Sequence, residues 1–301
     1  MKKSNRTTTL ILILLLAAPS LLNAQIGNLN DSIMRKVEAY IEETPFYKSR
    51  QIEVDEKKIM KIADSWSPFG VYKDTYFATG IPLNTSINRQ TADALFQISI
   101  RHRLTKSRLP FNSFLYLTYS QKSFWDIYDE SAPFRDNNYN PSLGLGRYMI
   151  HNNRLKGTLF VQLEHESNGK SGEDSRSWNM LSFSTKYFFN LRLFFGLKAW
   201  IPFVDGGENK DLLDYRGLGT ISANYINKNG RLWLTAEVNP RKGWGNANTT
   251  FTASFKINKS DNQYLYARFY NGKGESLLDY NKYDMNIRIG ICIKPDFQSI
   301  F

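Results

Sequence analysis

From Tyr283 to Lys294 the chain alternates without a break: Tyr283, Met285, Ile287, Ile289, Ile291 and Ile293 fall on one parity, and Asp284, Asn286, Arg288, Gly290, Cys292 and Lys294 on the other. A backbone with a two-residue repeat sends successive side chains to opposite faces, so this segment is an extended strand with one apolar and one polar face. The same pattern returns in Leu191, Leu193, Phe195, Leu197, Ala199 and Ile201 against Arg192 and Lys198, and in Leu232, Leu234, Ala236 and Val238 against Arg231, Thr235 and Glu237. Each run is about nine to eleven residues long, the length at which a tilted strand crosses a bilayer.

About twelve such segments are expected, an even number that suits a closed barrel. They begin near Tyr76, Asp93, Phe111, Ser142, Arg154, Arg176, Leu191, Leu218, Arg231, Thr249, Gln263 and Tyr283. Phe189-Asn190 and Asn227-Lys228-Asn229-Gly230 read as turns between them, and the polar stretch from Asp205 to Arg216 as a longer external loop. The fold class is therefore all-β, a transmembrane antiparallel β-barrel of about 12 strands with a short N-terminal extension. A soluble sandwich or lipocalin-like binding barrel also alternates, but long strands, 14% aromatic residues and a terminal Phe301 favour the membrane. In a closed membrane barrel every backbone group pairs inside the wall, which is how a chain of negative mean hydropathy can cross hydrocarbon.

The amino terminus agrees. Lys2, Lys3 and Arg6 precede an apolar run from Leu10 to Leu22 that closes in Leu22-Asn23-Ala24, the pattern of an export signal over residues 1–24. Residues 25–70 carry Ile33, Val37, Tyr40 and Ile41 at helical spacing and are expected to form a periplasmic extension, with the barrel over 71–301. Loss of the signal's three cations lowers the formal charge of +11 to +8. Export and the lack of any recognisable binding module make anionic headgroups a better partner for that charge than nucleic acid. The single cysteine, Cys292, excludes an internal disulfide framework, and no GxSxG, P-loop, HExxH or CxxC pattern is present.

One segment carries chemistry: His165-Glu166-Ser167-Asn168-Gly169-Lys170-Ser171, followed by Ser175-Arg176-Ser177-Trp178-Asn179. Leu159, Val161, Leu163, His165 and Ser167 share a parity, and in the next segment Asn179 shares one with Leu181, Phe183 and Tyr187. In a hairpin, His165, Ser167 and Asn179 would converge on the lipid-facing rim. Unpaired polar groups there are costly. Mutual hydrogen bonding resolves the cost, with Asn179 accepting from His165 Nδ1–H and His165 Nε2 accepting the Ser167 proton, a nucleophile, base and orienter arrangement. A neutral orienter fixes the imidazole tautomer with no charge to bury near hydrocarbon. The other reading makes the three ordinary rim residues solvated by headgroups, and spacing alone does not separate the two.

These residues resemble the active-site hairpin of the outer membrane phospholipase A family. Two further blocks carry the resemblance: Ser131-Ala132-Pro133-Phe134-Arg135-Asp136-Asn137-Asn138-Tyr139-Asn140-Pro141 is similar to the family's SPFRxxNYxP segment, and Tyr270-Asn271-Gly272-Lys273-Gly274-Glu275-Ser276-Leu277-Leu278-Asp279-Tyr280-Asn281 to its GxGESLxDYN segment. The three blocks stand in family order between Pro68 and the C-terminus. The resemblance implies a multi-pass barrel of twelve strands in the outer membrane of a Gram-negative bacterium, acting as a calcium-dependent phospholipase A1/A2 on phospholipids and switched on as a homodimer. It implies Ser167 as nucleophile, His165 as base, Asn179 as orienter and the Gly169 amide as oxyanion donor. Ca2+ would rest on the Lys170 carbonyl, the Ser175 hydroxyl and the Ser131 carbonyl of a second copy, all hard oxygen donors. Lys170 stands where the family usually has arginine, which a carbonyl ligand tolerates. Gly172 stands where an acidic residue can serve an additional calcium site, so that site would need Glu173 or Asp174 instead. Gln121 matches an interface glutamine and is in phase with Leu115, Leu117 and Tyr119, where a polar side chain costs free energy unless something meets it. His102 and His151 match nothing. Glu275, Ser276 and Asp279 are expected to build the loop they occupy. The alternative from another class is a catalytically inactive barrel, either a channel or a structural protein, although Phe160, Trp200 and Trp233 at inward positions would help fill a small lumen.

Overall fold

The computed structural model describes residues 68–105, 108–152, 154–190, 192–203, 207–258 and 262–295. The expected export signal, nearly all of the expected extension and Phe301 lie outside these residues. Among the described residues thirteen strands follow one another: β1 Phe69–Val71, β2 Thr75–Pro82, β3 Asp93–Arg103, β4 Phe114–Trp125, β5 Phe134–His151, β6 Arg154–Ser167, β7 Ser177–Phe188, β8 Leu193–Phe203, β9 Gly219–Ile226, β10 Leu232–Pro240, β11 Ala247–Lys256, β12 Gln263–Lys273 and β13 Tyr283–Ile293. Every pairing is antiparallel, and β13 closes on β2 through rungs such as Ile287↔Ile81. β2 occupies β3 from Asp93 to Gln97 and β1 occupies it from Ile100 to His102, so β1 continues the edge that β2 starts. The result is a ring of twelve strands plus one short extra strand, with edges eliminated by closure.

The two faces are inverted relative to a protein dissolved in water. On β13, Ile287, Ile289 and Ile291 are exposed, while Asn286, Arg288 and Cys292 are buried inside. A soluble binding barrel would turn its apolar parity inward, so this exposure removes that rival. The interior is stitched by polar side chains: Gln162 donates to Ser142 at 2.5 Å and accepts from the Tyr72 hydroxyl at 2.8 Å, and Lys198 pairs with Glu164 at 2.6 Å. Phe160, with 1% of its surface exposed, packs with Phe114, Tyr116, Tyr148 and Tyr72, and Trp233 packs on Phe194, so large inward rings fill much of the lumen. A cavity of about 520 Å³ remains among Lys73, Glu164, Lys198, Glu237 and Arg268.

Two strand starts differ from the sequence expectation. A 3-10 turn over Pro110–Asn112 holds Phe111 at φ 64°, and β4 begins only at Phe114. β5, expected from Ser142, begins at Phe134 and runs through Asn140-Pro141. Proline has no N–H to give a ladder. The β5–β6 register accordingly skips from Tyr139↔Ser167 to Ser142↔Glu164 and tolerates Pro141 in the gap, where only one neighbour lacks its rung.

Candidate active site

β6 and β7 form the hairpin the sequence suggested, in a register that sets His165 opposite Asn179 and Ser167 opposite Ser177. The His165 Nδ1 to Asn179 Oδ1 distance is 2.8 Å. Because the asparagine oxygen can only accept, Nδ1 carries the proton and Nε2 is left as the basic nitrogen. Ser167 lies two residues along on the same outward face, half-buried, with exposed Leu163 and Phe203 flanking the His165–Asn179 rung. The skipped rung beside Pro141 is next to His165, and Asn140 fills it from its side chain, donating Nδ2–H to the His165 carbonyl at 3.0 Å. Asn140 is a supporting residue that sequence reasoning missed. Its signal was the proline after it, which predicts a broken ladder on an interior strand.

The inward face of the same hairpin is anchored independently. Glu166 is paired across the strands with Trp178 and accepts its indole N–H at 2.9 Å, and Arg216 Nη1 lies 3.4 Å from the same carboxylate. Glu164 below it accepts from Ser182 and pairs with Lys198. The base and its orienter thus sit on a hairpin whose opposite face is locked by charged hydrogen bonds.

The loop after β6 is organised by Asn168, another residue the sequence did not flag, which is 3% exposed. Its Oδ1 accepts from the Arg176 amide at 3.0 Å and the Lys170 amide at 3.3 Å, and its Nδ2 donates to the Asp174 carbonyl at 2.8 Å. One side chain therefore draws the two arms of the loop together, bringing Lys170 near Ser175. Gly169 has φ +68°, and an added Cβ would lie 2.9 Å from Tyr139 Cε2, so both conformation and space demand glycine there. The Lys170 carbonyl and the Ser175 hydroxyl accept no hydrogen bond among the described residues, nor does the Ser131 carbonyl in the β4–β5 loop. No three His, Cys, Asp or Glu side chains converge on a metal-sized site among the described residues. Carbonyl and hydroxyl oxygens without a hydrogen-bond donor are hard donors in kind, and exposed Glu173 and Asp174 lie in the same loop as Lys170 and Ser175.

Gln121 faces outward on β4, but it is not bare: it accepts from the Tyr119 hydroxyl at 3.0 Å and donates to Ser123 at 3.1 Å. The cost expected of a polar group on this face is thus partly met within its own strand. It is paired directly with Tyr139, which on its other side opposes Ser167.

The two remaining sequence blocks meet in the barrel mouth. The β12–β13 loop dips inward, with Leu277 fully buried against Trp178, Met180, Tyr280 and Leu212 of the short helix α1, Leu212–Arg216. Asp136 and Asn138 accept the Leu277 amide at 3.1 Å each, and Asp136 also accepts Leu278 N–H at 3.0 Å. Glu275 is bound by Arg268, by Arg288 at 3.0 Å and by Asn286 at 2.8 Å, while Arg288 also chelates Asp93 at 2.7 and 2.8 Å. Burial opposes ionisation of Glu275, but the guanidinium groups of Arg288 and Arg268 outweigh it and hold the carboxyl far below the usual range. Within the loop the Asp279 amide donates to Ser276 Oγ at 3.1 Å, so Glu275, Ser276 and Asp279 all build the loop they occupy, and it corks the mouth, which disfavours an open channel.

The phospholipase A1 family model matches residues 73–293. A phospholipase A1 of Proteus vulgaris is 32% identical over 219 residues, covering 71% of this chain and 74% of that protein, and the Escherichia coli K12 phospholipase A1 is 32% identical over 216 residues, covering 70% and 72%. Among solved structures, outer membrane phospholipase A from Escherichia coli superposes with a TM-score of 0.68 at 27% identity, covering 76% of this chain and all of that one. The Salmonella typhi outer membrane phospholipase, solved as a dimer with bound calcium, gives the same TM-score at 25% identity, over 83% of this chain and all of that one. The outward apolar band and these matches make the protein a multi-pass barrel of a Gram-negative outer membrane. With a family model spanning most of its length and a barrel of the same architecture, the chain belongs to the phospholipase A1 family.

Proposed function

We propose that this member of the family hydrolyses acyl esters of phospholipids and lysophospholipids at either glycerol position, with Ser167 as nucleophile, His165 as base and Asn179 as orienter. The observation that carries the reading is the 2.8 Å contact from His165 Nδ1 to Asn179 Oδ1 on the lipid-facing side, two residues from a serine. A phospholipid enters laterally from the bilayer, so its ester meets the site without leaving the membrane. Ser167 Oγ attacks the carbonyl carbon as His165 Nε2 takes the hydroxyl proton. The tetrahedral oxyanion is held by the Gly169 amide, which the left-handed turn turns away from strand pairing. Collapse breaks the bond to the glycerol oxygen, which receives the proton from His165 and leaves the acyl group on Ser167. His165 then deprotonates a water that releases the fatty acid and restores the serine.

The Lys170 carbonyl, the Ser175 hydroxyl and the Ser131 carbonyl of a second copy would hold Ca2+. When bound there, the cation supplies positive charge that stabilises developing oxyanion charge. Because one of these oxygens comes from another copy, dimerisation switches activity on, with Gln121 exchanging its bonds within β4 for bonds across the interface. The deciding experiment is fatty-acid release from mixed micelles by refolded protein, with calcium or chelator, for the natural chain and Ser167→Ala. Calcium-dependent release that vanishes in the variant is expected. No release from folded, dimeric natural protein would overturn the reading in favour of an inactive barrel.

A further inference from the structure

Two rungs of the β6–β7 hairpin face the bilayer at the site, His165↔Asn179 and Ser167↔Ser177, and the reaction proposed above uses three of these four side chains. The fourth is Ser177. Trp178 beside it is buried inside with its indole on Glu166, so alternation turns Ser177 outward, as it does Asn179. The ladder also fixes how near the two serines stand. Antiparallel pairs alternate between those that exchange backbone hydrogen bonds and those that do not. The Asn168 amide donates to the Arg176 carbonyl at 3.0 Å, so that pair is bonded and the next, Ser167↔Ser177, is unbonded, as is His165↔Asn179 two residues on. Side chains of an unbonded pair approach closest, with Cβ atoms about 4.5–5.5 Å apart. This spacing lets His165 reach Asn179 at 2.8 Å, and it sets the Ser177 side chain beside the nucleophile in the same way.

Ser177 is held in register from its far side. The backbone N–H and C=O of an unbonded pair point away from the partner strand, and β8 does not receive those of Ser177, because its pairing with β7 ends at Asn179↔Phe203. Asn209, 1% exposed in the loop after β8, takes that place. Its Oδ1 accepts the Ser177 amide at 3.4 Å and its Nδ2 donates to the Ser177 carbonyl at 2.9 Å, one buried side chain standing in for a strand. Beyond Phe203, therefore, the outward flank of Ser177 carries no paired strand residue among the described residues. Neither the Ser167 nor the Ser177 hydroxyl makes a hydrogen bond among the described residues. A half-buried hydroxyl without a partner beside hydrocarbon costs free energy, which a substrate oxygen accepting its proton would remove.

We propose, resting on the roles given above to Ser167 and His165, that Ser177 is a further catalytic residue whose hydroxyl donates to the oxyanion formed when Ser167 attacks the ester. The glycerol oxygen leaves with the proton held by His165, so the leaving group lies toward that residue. The carbonyl oxygen is then directed the other way along the hairpin, toward Gly169 on one arm and Ser175 on the other. Ser177 flanks that space from β7. The Gly169 amide donates from the β6 side and the Ser177 hydroxyl from the β7 side, so the two strands bracket the oxygen on which charge develops. No proton is transferred in this step. The hydroxyl keeps its hydrogen, and the bond it donates strengthens only as the oxygen becomes negative.

The test compares fatty-acid release from mixed micelles at saturating calcium by the refolded full chain and by Ser177→Ala, Ser177→Thr and Ser167→Ala, with far-ultraviolet spectra establishing that each is folded. Expected for Ser177→Ala is a fall in kcat on the order of a hundredfold, the loss typical of one oxyanion donor, with KM little changed. Ser177→Thr keeps a hydroxyl on the same carbon and should recover most of the rate. In both, the acid limb of the kcat/KM profile, which reports His165, and the calcium concentration for half-maximal release should stay where they are in the natural chain. A kcat for Ser177→Ala equal to that of the natural chain overturns the proposal, as does a rise in KM alone, which would make the hydroxyl a ground-state ligand of the substrate, or a shifted acid limb. Loss of release in Ser167→Ala would leave the triad standing in each of those cases. Release that persists in Ser167→Ala would overturn the triad, and the role of Ser177 with it.

Discussion

Replacing Glu275 by alanine should both destabilise the barrel and uncork it. In the folded protein this carboxylate is 3% exposed and receives Arg268, Arg288 and Asn286 together. Arg288 would keep its two bonds to Asp93, but Arg268 would lose its only described ion pair and remain buried. Removing one partner of such a buried pair typically costs about 3–5 kcal/mol, because the surviving charge is left without compensation. Since Arg288 stays paired, the lower end, about 3 kcal/mol, is expected from urea unfolding in lipid vesicles. Glu275 also gives that stability a pH dependence. Its folded pKa is depressed, so its contribution is fully present above the ordinary glutamate range, near pH 4.3, and is lost as pH falls through the lower folded value. The natural chain should therefore weaken below about pH 4, and Glu275→Ala should lack that acid arm. Once the loop is released from the mouth, planar-bilayer recordings should show ion current absent from the natural protein. Unchanged unfolding together with a silent bilayer would refute the view that this charge cluster holds the cork.

Three further outcomes test the site. Asn179→Ala removes the acceptor that fixes the His165 tautomer; a lost hydrogen bond of about 1 kcal/mol predicts a fall in kcat of about fivefold with KM little changed, measured as fatty-acid release. Gly169→Ala forces a side chain into a left-handed turn costing roughly 1–2 kcal/mol and into Tyr139, so the amide should leave its place and kcat should drop by about a hundredfold while unfolding changes little more than the strain. Ser175→Ala should raise the calcium concentration needed for half-maximal release, and an unchanged calcium titration would remove Ser175 from the ligand set.

What the sequence determined by itself was parity. Alternation is local, so the facing of Ile287 and Arg288, of Leu163 and Glu164, and of His165 with Asn179 could be read before any strand had a partner, and the inverted barrel followed from it. The resemblance over the three blocks supplied the chemistry. What only the tertiary structure decided was register and convergence across the ring. Nothing local says that Pro141 falls inside β5 beside His165, because a proline is excluded or tolerated according to which neighbour needs its N–H. Nor does any period reveal that Asp93 meets Arg288 and that Asp136 meets Leu277, pairs brought together only when β13 closes on β2. Buried charge clusters and inward-folding loops depend on contacts between residues far apart in the chain, and such contacts exist only once the barrel has closed.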